Sequence, residues 1–264
     1  MDMIGVNGLS LHYSDTGERD LPVIVFANSL GTDFRSWDRV VERLSGSFRM
    51  IRYDKRGHGL SQATPAPYKM SDHVGDLAGL LDQLEVTAAL VVGLSVGGQI
   101  AQGLALSRPD LVKALVLCDT AAKIGSAEMW QTRMDAIENG GIEVLAEPIL
   151  ERWFSEEFRA TRAEELAGWR SMLTRTPLDG YLGTCAAIRD TDFSEEVQSL
   201  SIPVLCVCGT DDGATTPELV RATAGLIPGA RYVDIDGAGH LPCIEKPDAL
   251  VLAIKEFIQE NKLG

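Results

Sequence analysis

The chain has 264 residues, 45% of them hydrophobic, and its 24 lysines and arginines against 38 aspartates and glutamates leave a formal net charge of -14 at pH 7. That length allows one large α/β domain with an insertion and a sizeable core. The acidic balance excludes the basic footprint that nucleic acid or an anionic membrane needs, and no apolar run approaches the length that spans a bilayer. The start, Met1-Asp2-Met3-Ile4, lacks the basic and apolar regions of a secretory signal, so a soluble cytoplasmic protein is expected. The cysteines, Cys118, Cys185, Cys206, Cys208 and Cys243, are odd in number and contain no C-x-x-C. They read as reduced thiols in or near the core, with no disulfide framework and no zinc site.

Residues 3–6 and 9–13 alternate like half-exposed strands and are joined by Asn7-Gly8, a strong hairpin turn; His12, on the second strand, is read as structural. The apolar run 22–27 predicts a strand buried on both faces, which delivers the chain to Asn28-Ser29-Leu30-Gly31. A helix is expected over 36–44 and a strand over 48–53, ending in the loop Asp54-Lys55-Arg56-Gly57-His58-Gly59. Val74, Leu77, Leu80, Leu81 and Leu84 form a helical stripe over 70–84, entered through Ser71 and Asp72. Residues 88–92 read as a buried strand, 97–106 as a helix and 112–118 as another buried strand. That succession implies right-handed crossovers and a largely parallel sheet. From 124 to 192 the pattern turns helical, with Trp130, Trp153 and Trp169 and no convincing strand. It reads as a helical cap inserted into a core made of 1–123 and 193–264. Strand pattern returns at 203–209 and 230–235, with a helix over 217–226 between them and an amphipathic helix over 249–258 at the end.

Between the strand 88–92 and its helix lies Gly93-Leu94-Ser95-Val96-Gly97, a G-x-S-x-G pattern in a strand-to-helix context. So sharp a reversal leaves no room for a side chain at Gly93 or Gly97 and holds Ser95 out at the carboxyl edge of the sheet. Functional groups of an open parallel sheet gather at that edge. Two other strand ends supply them: Gly209-Thr210-Asp211-Asp212 and Asp236-Gly237-Ala238-Gly239-His240. A serine hydroxyl attacks only when a base takes its proton, imidazole has the right pKa for this near neutrality, and a carboxylate fixes the tautomer and stabilises the imidazolium. The oxyanion formed by attack needs two fixed donors. One is the backbone N–H of Val96, next after the serine, and the other is assigned to Leu30, in the loop after the strand 22–27. His58 is a rival base, although its loop also serves as a tight turn, and His73, inside a helix pattern, carries little weight.

With these residues in place the chain resembles the α/β-hydrolases over nearly its whole length, and among them the 3-oxoadipate enol-lactonases. The closer likeness rests on Asn28-Ser29-Leu30-Gly31-Thr32-Asp33 with Trp37, and on the stretches 52–59, 93–98, 117–125, 151–154 and Gly180-Tyr181. The order serine, acid, histidine is that of the hydrolase triad, and the G-x-x-D placement favours Asp212 over Asp211. Many members carry His-Gly where this chain has Asn28-Ser29, which keeps the backbone role of Leu30 and leaves the side-chain contacts there open. The resemblance implies an α/β-hydrolase fold, a mostly parallel sheet flanked by helices with an inserted helical cap. It also implies hydrolysis of the enol-lactone of the β-ketoadipate route of aromatic catabolism, through an acyl-enzyme on Ser95 served by Asp212 and His240, without metal or organic cofactor.

Other readings stay open: an esterase, a C–C bond hydrolase, a cofactor-free haloperoxidase-like member, or a hydrolase-fold small-molecule receptor, which multiple turnover would separate from an enzyme. The oligomeric state is not indicated. The expected partner is a small anionic lactone, whose carboxylate the acidic protein would repel unless a local cation receives it. Trp130 and Arg133, three apart in a helical stretch, share a face on which Trp130 can pack on the ring and Arg133 can pair with the carboxylate. The same spacing fits an ordinary helix with Trp130 in its core and Arg133 in solvent. Arg162, Arg170 and Arg189 are the other candidates.

Overall fold

A computed structural model describes all 264 residues. Eight strands, β1 (Asp2–Val6), β2 (Leu9–Thr16), β3 (Val23–Ala27), β4 (Arg49–Tyr53), β5 (Ala89–Leu94), β6 (Val112–Cys118), β7 (Val204–Gly209) and β8 (Arg231–Ile235), form one sheet in the order β1-β2-β4-β3-β5-β6-β7-β8. The β1–β2 hairpin is antiparallel, and its turn residues Asn7 and Gly8 sit at φ 52 and 80, the left-handed geometry that matches strand twist. β2 also runs antiparallel to β4; from β4 to β8 every pairing is parallel. The apolar runs of β5, β6 and β7 are buried because crossover helices cover a parallel sheet.

Those helices are α1 (Asp38–Leu44), α2 (Met70–Gln83) and α3 (Val96–Ser107) in the first half. Between β6 and β7 the chain is helical throughout: α4 (Ala127–Gly140), α5 (Ala146–Trp153), α6 (Glu156–Thr161), α7 (Ala163–Thr174) and α8 (Leu178–Arg189), with short 3-10 turns. The last are α9 (Pro217–Leu226), α10 (Pro242–Glu245) and α11 (Pro247–Glu260). α2 packs on α3 and α1 on α11, while α4 packs on α8 and both α5 and α6 on α7, so the insertion has contacts of its own. No helix is long and apolar enough to cross a membrane.

Two local expectations need correction, and one element is new. The helix expected from 36 begins as a 3-10 turn, Phe34–Trp37, because the Asp33 side chain accepts the Arg35 N–H, and α1 follows it. At α2 the cap position is Lys69, and Asp72 reaches back from the first turn to accept the Lys69 N–H at 2.8 Å. Ser71 lies inside the helix and caps nothing. The short helix α10, directly after His240, was not expected.

Candidate active site

β5 ends at Leu94 and α3 begins at Val96, so Ser95 alone makes the reversal. It does so at φ 57, ψ -120, a region that costs a non-glycine residue about 1–3 kcal/mol. Two bonds hold it there: its N–H donates to the Cys118 carbonyl at 3.0 Å, and its own carbonyl accepts from Thr120 Oγ1 at 2.6 Å. A Cβ at Gly93 would lie 2.3 Å from the Gly97 oxygen, and one at Gly97 would lie 2.1 Å from the Ala27 oxygen. The chain crosses itself too closely for either.

The turn after β7 carries Asp212 and the loop after β8 carries His240. Asp212 Oδ2 accepts from His240 Nδ1 at 2.9 Å and from Thr215 Oγ1 at 2.7 Å, while Oδ1 accepts the N–H groups of Ala214 at 2.7 Å and Thr215 at 3.0 Å. An ionised carboxylate only accepts, so Nδ1 of His240 carries the proton and Nε2 keeps a lone pair. Burial pushes the Asp212 carboxyl up, but His240, Thr215 and the Ala214 N–H outweigh it and hold the group below the usual carboxylate range. Asp211 is exposed and its Oδ1 meets only Thr210 Oγ1, at 3.2 Å. Of the two adjacent acids, the structure brings Asp212 to the histidine.

A third acid escaped sequence reasoning. Asp119, next after β6, is fully buried at φ 46; its Oδ1 accepts the Gly209 N–H at 2.8 Å and its Oδ2 has no partner. Burial first, then the nearby Asp212, push its carboxyl well above the usual range. Side-chain atoms of Asp119, Cys208 and Asp212 lie within 4.8 Å of one another, the only such cluster of metal-ligating types. The set fits a cation poorly, since the Asp212 oxygens are engaged by four donors and burial drives the Cys208 thiol far up.

In the loop after β3, the Leu30 N–H meets no acceptor in the protein. The Val96 N–H stands at the first position of α3, where a helix offers no acceptor either. His58, the rival base, is committed elsewhere: Nε2 accepts the Gly31 N–H at 3.0 Å and Nδ1 donates to the Arg56 carbonyl at 3.2 Å. Burial, then Lys55, hold it neutral, well below the usual imidazole range. His12 Nδ1 pairs with Asp54 at 2.7 Å, and His73 is buried beside Thr184.

Ser95, His240, Ser29 and Leu30 line a cavity of about 150 Å³ whose other wall is the helical insertion, with Trp130, Arg133, Arg152, Trp153 and Tyr181. A larger cleft of about 830 Å³ runs between the Phe34–Trp37 turn and α7 and shares none of these residues. Size favours that cleft, but convergence of polar groups favours the smaller one.

Trp130 is fixed by its Nε1, which donates to the Ile124 carbonyl at 2.6 Å, and the Arg133 guanidinium lies 4.8 Å from its ring centroid. Arg152, absent from the sequence candidates although it stands in the stretch 151–154, has one protein partner, the Pro148 carbonyl at 3.1 Å. Burial and then Arg133 lower its pKa. Neither arginine forms an ion pair. By contrast Arg162 faces Glu165 at 3.9 Å, Arg170 binds Glu143 and Glu147, and Arg189 binds Asp190 at 2.7 Å.

The chain belongs to the alpha/beta hydrolase fold family, whose model matches residues 22–247. Within that family it is similar to 3-oxoadipate enol-lactonase 2 of Acinetobacter baylyi, at 30% identity over 98% of this chain and 96% of the relative. Among solved structures, the enol-lactonase from Burkholderia xenovorans LB400 superposes with a TM-score of 0.94 at 39% identity, covering 98% of this chain and 100% of that one. A thermophilic esterase from Thermogutta terrifontis, solved with malate bound, gives 0.90 at 30% identity over 98% of each chain.

Proposed function

We propose that this chain is a serine hydrolase that opens the ring of 3-oxoadipate enol-lactone to 3-oxoadipate, a cytoplasmic step of aromatic catabolism by the β-ketoadipate route. The observation that carries this reading is a pair of arginines without carboxylate partners, Arg133 and Arg152, on the wall of the cavity that also holds Ser95 and His240. An acidic protein that leaves two cations bare beside a nucleophile is built to receive an anion. The relatives that are enol-lactonases support the choice of lactone.

Ser95 Oγ attacks the lactone carbonyl as His240 Nε2 takes its proton, and the N–H groups of Val96 and Leu30 hold the oxyanion. The ring C–O bond then breaks, the leaving enolate oxygen takes the proton from His240, and the enol becomes a ketone. Water, deprotonated by His240, hydrolyses the Ser95 ester and restores the hydroxyl. Asp212 keeps the imidazole in its tautomer throughout. Residues 124–192 act as a cap on the core of 1–123 and 193–264: Trp130 packs on the ring, and Arg133 with Arg152 pairs with the free carboxylate.

A lactone panel followed by loss of enol-lactone absorbance tests the reading. Multiple turnover at a kcat on the order of 1 per second or more is expected, whereas a receptor would stop near a single turnover. Ser95→Ala should stay folded and lose turnover; full activity in it would sink the assignment. Arg133→Ala and Arg152→Ala should each lower kcat/KM for the anionic lactone by about 2 to 3 kcal/mol and barely touch a neutral ester. Equal losses on both substrates would mean that the arginines only shape the wall.

A further inference from the structure

Lys55 and His58 stand in the loop after β4, take no part in the scheme above, and are both withdrawn from solvent. Lys55 Nζ donates to the Ser29 carbonyl at 2.6 Å and more weakly to the Thr32 carbonyl at 3.4 Å, and it forms no ion pair. A buried ammonium that meets only carbonyls is costly. The planar peptide supplies a reason for it: the Ser29 C=O and the Leu30 N–H belong to one unit and point in opposite directions. The Ser29 carbonyl also accepts Thr32 Oγ1 at 2.9 Å and the Thr32 N–H at 3.3 Å, but Nζ makes its shortest bond; with the carbonyl held there, the Leu30 N–H is turned away from Lys55, and Ser29, Leu30 and Ser95 line one cavity. At the other peptide of Leu30, the Gly31 N–H donates to His58 Nε2 at 3.0 Å, so both planes flanking Leu30 are fixed. Gly31 sits at φ 73, where a Cβ would lie 2.6 Å from Leu173 Cδ1 and 3.2 Å from Tyr181 Cε2, so the insertion packs closely on the loop.

We propose that Lys55, seconded by His58, is a positioning residue for the oxyanion: it turns the Ser29–Leu30 peptide so that the Leu30 N–H is presented to the developing charge. The inference rests on the proposed role of Leu30. Burial pulls the Lys55 pKa down to about 7, against the attraction of Asp54 in its own loop and Asp33 in the loop after β3. His58 and, on α2, His73 are held neutral by burial first and by the Lys55 charge second. An unfolded lysine keeps its proton to about pH 10.4, so between about 7 and that value the unfolded chain binds more protons than the fold. Stability therefore rises with pH across that window, and below it the fold carries the full cost of the buried charge. A residue kept for stability alone would not be a lysine.

Lys55→Met removes the charge and the donors at similar length. Its kcat on a neutral ester should fall by about 100-fold, the lower end of what losing an oxyanion donor costs, with KM little changed. Its Tm at pH 6 should equal or exceed that of the wild type; wild-type kcat should decline above pH 7 as the ammonium titrates, and the variant should show no such decline. His58→Gln, whose Oε1 can accept from Gly31, should recover most of the kcat that His58→Leu loses, a readout that holds even if Lys55→Met fails to fold. Unchanged kcat in folded Lys55→Met, or equal kcat in the two His58 variants, overturns the inference. A dead Ser95→Ala beside an unimpaired Lys55→Met removes this inference alone; an active Ser95→Ala removes the proposed function with it.

Discussion

Asp212 receives four hydrogen bonds on its two carboxylate oxygens, whereas its buried neighbour Asp119 receives one and leaves Oδ2 bare. Like charges this close do not both ionise, so the donors decide which acid carries the charge. A carboxyl whose pKa is raised by folding keeps its proton where the unfolded chain has lost it, so its contribution to stability falls as pH climbs above about 4. Asp119→Asn has the same shape and no charge to suppress. It should therefore be more stable than the wild type at pH 7, with the difference closing near pH 4, in parallel denaturant titrations. A loss at pH 7 would show that Asp119 works as an ion. Glycine-rich turns at strand ends mark Ser95, His240 and the pair Asp211–Asp212 in the sequence, and likeness to the hydrolases is what favours Asp212 of the two. Asp119 follows its strand with no such signal, and only the pairing of β6 with β7 buries it.

At the scale of elements, α10 does more than its length suggests. Its Glu245 accepts the Gly239 N–H on Oε1 at 2.8 Å, and on Oε2 accepts Ser155 Oγ at 2.6 Å and the Ser155 N–H at 3.2 Å. The loop that carries His240 is thus tied to the junction of α5 and α6. Glu245→Ala should cost on the order of 3 kcal/mol in stability, because it strands buried donors on both sides, and should lower kcat as well. Glu245→Gln, which keeps the acceptor for Gly239, should lose less of both; equal losses would mean that the charge matters and the tie does not. The strands β3, β5, β6 and β7 and the helix α2 were legible because each buries an apolar run or stripe, whereas the helices of the insertion, such as α7 with Leu173 alone buried, were read only as a helical region. α10 was not legible, since four residues between Pro242 and Pro247 hold no period, and its contact with the distant Ser155 leaves no local mark. Arg152 was hidden similarly: its sequence neighbours mark a helix end, and only the packing of α5 turns it to the cavity.

At the scale of the whole molecule, the net charge of -14 surrounds a cavity with two cations in its wall. The arginines act over a few ångströms, while the outer field reaches about 10 Å at 0.1 M salt and further when salt is low. For an anionic lactone, kcat/KM should therefore rise as salt increases from about 0.01 to 0.15 M, with no such trend for a neutral ester. A fall instead would mean that the arginines govern the encounter. On the proposed reaction, opening the ring creates a second carboxylate, so the molecule that leaves is more negative than the one that arrived. The field that slows entry must slow the product's return still more. The surface thus weakens rebinding of product more than binding of substrate, and inhibition by product should weaken as salt is withdrawn.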